Sequence, residues 1–197
     1  MNRSNLWQIF LTLGFALLMA GCSFSPDSQY YVLSIKKNEP LVSWEASSPN
    51  ILIGPISVPE YLKRNKIIYR NDSSKVDVKE YDWWAESIDT NITDVLTRQV
   101  SRYLTSDTVF STNSNFVTRP DLIVRIDVSQ FALVQDKLVV LEASWEIQNR
   151  DTGTSEIKAS SFQVSSLSNE IADVVDAMSQ AINDLGRAIS EHLIESV

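Results

Sequence analysis

Cysteine and histidine, the side chains most often used for covalent and acid–base chemistry, occur once each in these 197 residues, at Cys22 and His192. Nucleophilic catalysis needs a serine or cysteine beside a base, and a metal centre needs several of His, Cys, Asp and Glu together. His192 falls near the end of the last helical segment, one position before the apolar Leu193, and reads as a satisfied or solvated surface histidine. Asp173, Asp176 and Glu191 read as the solvated side of the same helix. Five glycines include no glycine-rich phosphate loop. Any two acids can meet in space, yet nothing selects a pair for hydrolysis. The expectation is a protein that is not an enzyme and needs no metal or cofactor.

Cys22 has its own context. Residues 1–21, "MNRSNLWQIFLTLGFALLMAG", carry one charge, Arg3, followed by an apolar run from Leu6 to Ala20 broken only by Gln8, Thr12 and Gly14. A positive start, a short apolar middle and small residues at the end form the pattern of a cleaved signal peptide. The run is shorter than the ~20 apolar residues that a spanning helix needs. Ala20 and Gly21 before Cys22 resemble the bacterial lipobox, although Met19 stands where that pattern favours leucine. The resemblance implies covalent acyl chains on Cys22, which becomes the first mature residue and leaves no disulfide to form. Ser23, rather than aspartate, resembles lipoproteins sent on to the outer membrane. Two or more acyl chains make a stable anchor without help from protein charge.

Loss of Arg3 leaves 16 basic against 25 acidic residues, a net charge of −9. That balance argues against nucleic acid as a partner and against electrostatic attraction to anionic lipid heads. Residues 22–29 form a lipidated tether, and the seven after Cys22 reach at most about 25 Å. The folded part must lie close to its membrane.

Residues 30–197 suit one domain with one core. "YYVLSI" (30–35) and "ILIGPISV" (51–58) read as strands, the second with a bulge or edge position at Gly54 and Pro55. Residues 37–50 read as a loop. Leu122, Val124, Ile126 and Val128 alternate with mostly polar neighbours, and Val139, Leu141, Ala143, Trp145 and Ile147 repeat that period, so each strand has one buried and one wet face. The short link at 134–138 predicts an antiparallel hairpin. "RDTGT" turns into a further strand over about 156–165, whose change of phase near Ser160 and Ser161 suggests a bulge.

Two segments have helical period instead. One runs Ile88, Ile92, Val95, Leu96, Val100, Tyr103, Leu104, with Asp82 placed to cap it. The other runs Ile171, Val174, Val175, Met178, Ile182, Leu185, Ile189, Leu193, with Gly186 inside it as a sign of close packing against the sheet. Their polar sides carry acids rather than a basic border, so both stripes read as core rather than as membrane-lying faces. The expected fold is α+β: a largely antiparallel or mixed sheet with two long helices packed on one face.

The distinctive local segment is "VPEYLKRNKIIYR" (58–70). Pro59 ends a strand, "EYL" makes a single turn, and "IIYR" resumes extended structure. Lys63, Arg64 and Lys66 form a basic cluster that reads either as a solvated loop or as a docking patch for phosphate heads or an acidic partner. "YDWWAES" (81–87) places Trp83 and Trp84 at the entry to the first helix, where adjacent rings rarely both face inward, so one is expected to be partly exposed to a partner.

A lipobox followed by "YYVLS", "ILIGPISVPEYLKRNKIIYR" and "WAESIDTNITDVLTRQVSRYL", then a hairpin with Trp145 and a long last helix, resembles the PqiC (YmbA-like) family of ABC-type intermembrane transport auxiliary lipoproteins. Ser87 stands where that family often has proline. The resemblance implies a periplasm-facing lipoprotein at the outer membrane and no enzymatic activity. It implies partnership with an MCE-domain protein, PqiB-like, and through it a PqiA-like membrane protein, in lipid transport between the membranes. Val58, Pro59, Tyr61, Leu62, Trp84 and Ala85 carry over as motif residues, either core or contact surface. A homo-oligomer is expected because MCE proteins form rings. The alternatives from other classes are a lipoprotein that plugs or assembles an outer-membrane barrel, and a carrier that holds lipid in an apolar cavity between sheet and helices.

Overall fold

The computed structural model describes residues 27–37, 40, 42–44, 48–70, 76–114, 119–134 and 137–196. The leader, Cys22 and most of the tether lie outside them. The described chain runs β1 (Gln29–Tyr31), β2 (Ile51–Ser57), β3 (Lys66–Arg70), β4 (Val76–Trp84), α1 (Ile88–Leu104), β5 (Val109–Ser111), β6 (Leu122–Val134), β7 (Leu138–Asn149), β8 (Ser155–Ser165) and α2 (Ile171–Glu195).

The period-two residues build the middle of the sheet. The alternating apolar residues of β6 (122–128) and β7 (139–147) are none more than 4% exposed. Arg125, Asp127 and Glu142, between them, face solvent. β6, β7 and β8 form a continuous antiparallel ladder, joined by the expected hairpin. On its other edge β6 is shared: Leu122 to Asp127 pair in parallel with β2, and Leu133 pairs in parallel with Tyr69 of β3. β5 lies outside β2, while β4 and then β1 lie outside β3. The sheet is mixed, with its longest pairings antiparallel, and the fold is α+β.

Both helices cover the apolar face. Every residue of the two predicted helical stripes is buried. α1 lies against β2 and β5, α2 against β7 and β8, and the helices touch each other. The space between the layers is filled by fully buried side chains such as Phe131, Ile92, Leu96, Ile182 and Leu185.

The sequence reading needs correction at four places. β1 stops at Tyr31, because the next backbone N–H groups bond to helix side chains rather than to a strand: Leu33 N–H donates to Asn91 Oδ1 at 2.6 Å and Ser34 N–H to Ser179 Oγ at 3.0 Å. α1 starts at Ile88 with Ser87 at its N-cap, and Asp82 belongs to β4, held there by pairing with β1. β8 has no bulge; its register with β7 is unbroken. The change of phase arises because Ile157, 73% exposed, faces out, whereas Phe162 and Val164 pack on the core. The irregularity sits in β6 at Ser129, between the registers of Val128 and Gln130. The bulge expected at Gly54 and Pro55 is present, between Ile53 and Ile56.

Gly186 does mark a close approach, but to α1 and not to the sheet. A Cβ there would stand 3.2 Å from Gln99 Cγ and 3.5 Å from Leu96 Cδ2. Gly186→Val therefore forces the helices apart, and urea unfolding is expected to show a loss of about 1–3 kcal/mol from overpacking.

Candidate functional site

The motif at 58–65 is a loop thrown out of a sheet edge. β2 and β3 run the same way along one edge of β6. Between the pairs Ser57–Asp127 and Tyr69–Leu133, β6 advances six residues while the neighbouring edge uses twelve. The excess forms a turn closed by Leu62 N–H to the Pro59 carbonyl at 2.9 Å and Lys63 N–H to the Glu60 carbonyl at 3.2 Å. Proline suits this place because it has no N–H to offer a ladder. The turn puts Val58 and Leu62 into the core at 5% and 4% exposure and leaves Lys63, Arg64 and Asn65 outside. Pro59 and Tyr61 are half-buried.

The second motif meets the first. Trp84 N–H donates to the Asn65 carbonyl at 2.8 Å, and Lys66 pairs with Trp83 across the β3–β4 ladder. Ala85 N–H donates to the Tyr31 carbonyl at 2.9 Å, which ties β1 into the same corner. The tryptophans are strand residues at the end of β4, not helix residues, because pairing with β1 carries the strand through Trp84. Successive strand residues face opposite ways, so Trp84 is buried and Trp83 lies half-exposed. The expectation that only one ring faces inward holds. Ala85 is exposed.

The basic cluster is not one patch. Lys63 pairs with Glu60 of its own turn, a contact that raises its pKa and, between exposed groups, contributes little stability. Lys66 Nζ sits 4.5 Å from the centre of the Trp83 ring and donates to the Glu80 carbonyl at 3.0 Å. Arg64 is exposed. Beside them, Lys79 Nζ lies 4.9 Å from the centre of the Tyr69 ring, and burial pushes the Tyr69 hydroxyl up to about 12. Two exposed tyrosines that the sequence reading did not single out, Tyr30 and Tyr81, border this corner at 68% and 38% exposure. The signal available for Tyr30 was the alternation with Tyr31 in a strand next to the tether.

His192 is not at the surface. It is 1% exposed, and Trp145 Nε1–H donates to its Nδ1 at 3.1 Å. An indole N–H can only donate, so Nδ1 accepts and the ring proton resides on Nε2, which stands 3.0 Å from Glu156 Oε2. The histidine is satisfied, as one reading expected, and pins α2 to β7 and β8. The sequence placed it off the apolar stripe, but β8 covers that side of α2. Among the described residues no three of His, Cys, Asp and Glu come together as a metal group, and no helix is long and apolar enough to cross a membrane.

Comparison with known proteins follows the same lines. The family model for the ABC-type transport auxiliary lipoprotein component matches residues 31–190. A crystal structure of an uncharacterized protein aligns with TM-score 0.69 and 15% identity over 85% of this chain and 99% of that one. One of a Xanthomonas campestris protein of the DUF330 family aligns with TM-score 0.69 and 17% identity over 86% and 100%. At those identities the likeness is one of fold. No curated protein matches.

Two predictions separate core from surface. Trp84→Ala is expected to cost about 3–5 kcal/mol in denaturant unfolding, whereas Arg64→Ala stays within about 0.5 kcal/mol. His192→Ala strands the buried Trp145 N–H and is expected to cost about 1–3 kcal/mol for that group alone, with His192→Phe doing no better in the same assay.

Proposed function

We propose, because the chain belongs to the family of ABC-type transport auxiliary lipoprotein components, that it is the outer-membrane-anchored subunit of a PqiABC-type system for moving lipid between membranes. In this reading Cys22 carries the acyl chains, and the domain stands on the periplasmic face within the short reach of residues 23–29. It docks the far end of an MCE assembly that projects from the inner membrane. The observation that carries the reading is the extent of the family match, which spans nearly all of the domain from β1 into α2.

The features of the motif corner fit a static docking part. Its tryptophan, valine and leucine anchor the loop in the core while Arg64, Asn65 and Ala85 stay outside. A partner surface held by buried anchors is rigid, and rigidity lowers the entropy lost on binding. The lipid-carrier alternative requires an apolar space between the layers, and two hollows among the described residues lie elsewhere. One, of about 360 Å³, opens on the outer face of the sheet around Pro55, Ile56 and Ile157. Another, of about 750 Å³, lies beside the C-terminal end of α1.

Crosslinking in intact cells through a C-terminal affinity tag is expected to capture an MCE-domain protein. Capture of an outer-membrane barrel without any MCE protein would favour an assembly factor instead. Cys22→Ala is expected to release a folded, soluble domain that fails to restore envelope integrity, scored as detergent sensitivity. Full restoration by the unlipidated protein would remove anchoring from the mechanism.

A further inference from the structure

The corner formed by β1, β4 and β3 has two chemically different sides. Parallel pairing of β1 with β4 sets Gln29 opposite Asp82, Tyr30 opposite Trp83 and Tyr31 opposite Trp84. Paired residues share a side and alternate along the strand. Gln29, Tyr31, Asp82 and Trp84 therefore fall on one side. There the Tyr31 hydroxyl donates to Gln29 Oε1 at 2.7 Å, and burial first, then the Asp82 and Glu170 carboxylates, raise its pKa. Tyr30, Trp83 and Lys66 fall on the other side, with the Lys66 ammonium over the Trp83 ring at 4.5 Å. Val32 and Tyr81, at 50% and 38% exposure, border it, whereas the Lys79 ammonium lies over Tyr69, on the side of Tyr31 and Asp82.

Tyr30 is 68% exposed, an unusual position for a ring that the core could have received from either of two adjacent tyrosines. Nothing in the core requires this side of the corner, since Tyr31, Leu33 and Trp84 already supply the inward contacts. We propose that the side bearing Tyr30, Trp83 and Lys66, with Tyr81 at its border, rests in the headgroup layer of the phospholipid bilayer that holds the anchor. Tyrosine favours that layer, where a ring can be half-dry while its hydroxyl stays wet; Trp83 offers ring surface alone, because its indole nitrogen is buried. An ammonium has three donors; Lys66 spends one on the Glu80 carbonyl and keeps others for a lipid phosphate. The acidic balance of the whole chain opposes a membrane, but Asp82 lies on the other side of the strand.

Tether length selects the membrane as occupant over a second protein. Tyr30 is eight positions after Cys22, so it stays within about 28 Å of the anchor point even with the chain fully extended at ~3.5 Å per residue. The inference rests on acylation of Cys22, as in the proposed function. It adds which surface of the domain meets the lipid.

The test uses the lipidated protein in vesicles of phosphatidylethanolamine and phosphatidylglycerol. With Cys22 acylated the chain has no other thiol, so Tyr30→Cys, Tyr81→Cys and, as a reference, Ile157→Cys each take one nitroxide label. All three sites are exposed, which keeps the substitutions compatible with folding. The ratio of collisions with oxygen to collisions with a water-soluble nickel chelate is expected to be several-fold higher at 30 and 81 than at 157. Equal ratios at all three sites overturn the proposal, as does protection of 30 and 81 from both reagents, which would mean a protein covers them. Mass spectrometry of the same samples reports acylation. An unmodified Cys22 would sink the anchor and this inference together, while an acylated protein with water-exposed labels would sink this inference alone.

Discussion

Much of the architecture follows from the way β6 divides one of its edges. Its 13 residues pair with β7 along nearly their whole length on one side, but on the other they pair first with β2 and then with β3. A strand with one buried face cannot slip by one residue without turning its apolar set to water. Leu122, Val124, Ile126 and Val128 thus fix the register of everything hung on that edge. The bulge at Ser129 comes between the two partners, where an extra residue bends a strand and increases its local twist. Beyond it the chain still buries Phe131 and Leu133.

Because β2 and β3 lie one after the other along the same edge and run in the same direction, the chain between them has nowhere to go but outward. That is why the segment "VPEYLKRN" forms a projecting turn instead of a longer strand. Its apolar residues return to the core and its charged residues cannot. The fold thereby creates a firmly rooted protrusion at the corner where β4 and β1 also end. The same corner holds β1, where the described chain enters the sheet, and is the most irregular part of that sheet.

The helices are held in place by polar pins as well as by apolar area. Asn91 accepts from the Leu33 N–H and donates to Glu86. Tyr103 and Asn183 join the helices at 3.2 Å. His192 bridges Trp145 and Glu156. A buried polar group is costly when unpaired, so each pin also disfavours a rotated or shifted helix, in which its partner would be lost. Apolar burial alone tolerates such shifts, because it has no direction.

The sequence by itself determined what depends on local period. The two helices, the alternation of β6 and β7, the hairpin between them and the irregularity at Gly54 and Pro55 were all legible, since a buried face writes its spacing directly into the chain. The isolation of Cys22 and the acidic balance were legible too, being matters of composition. Only the tertiary structure decided the partners. Whether a strand pairs in parallel or antiparallel, and with which neighbour, is settled by contacts distant in sequence, so β1 was overextended and β4 was mistaken in part for a helix start. Gly186 announced a close neighbour but not that the neighbour was α1. His192 lay beside the apolar stripe and gave no local sign that β8 would cover it. The motif residues, alike in belonging to one pattern, were divided into core and surface by the single turn between β2 and β3, and that division belongs to the sheet rather than to any one residue.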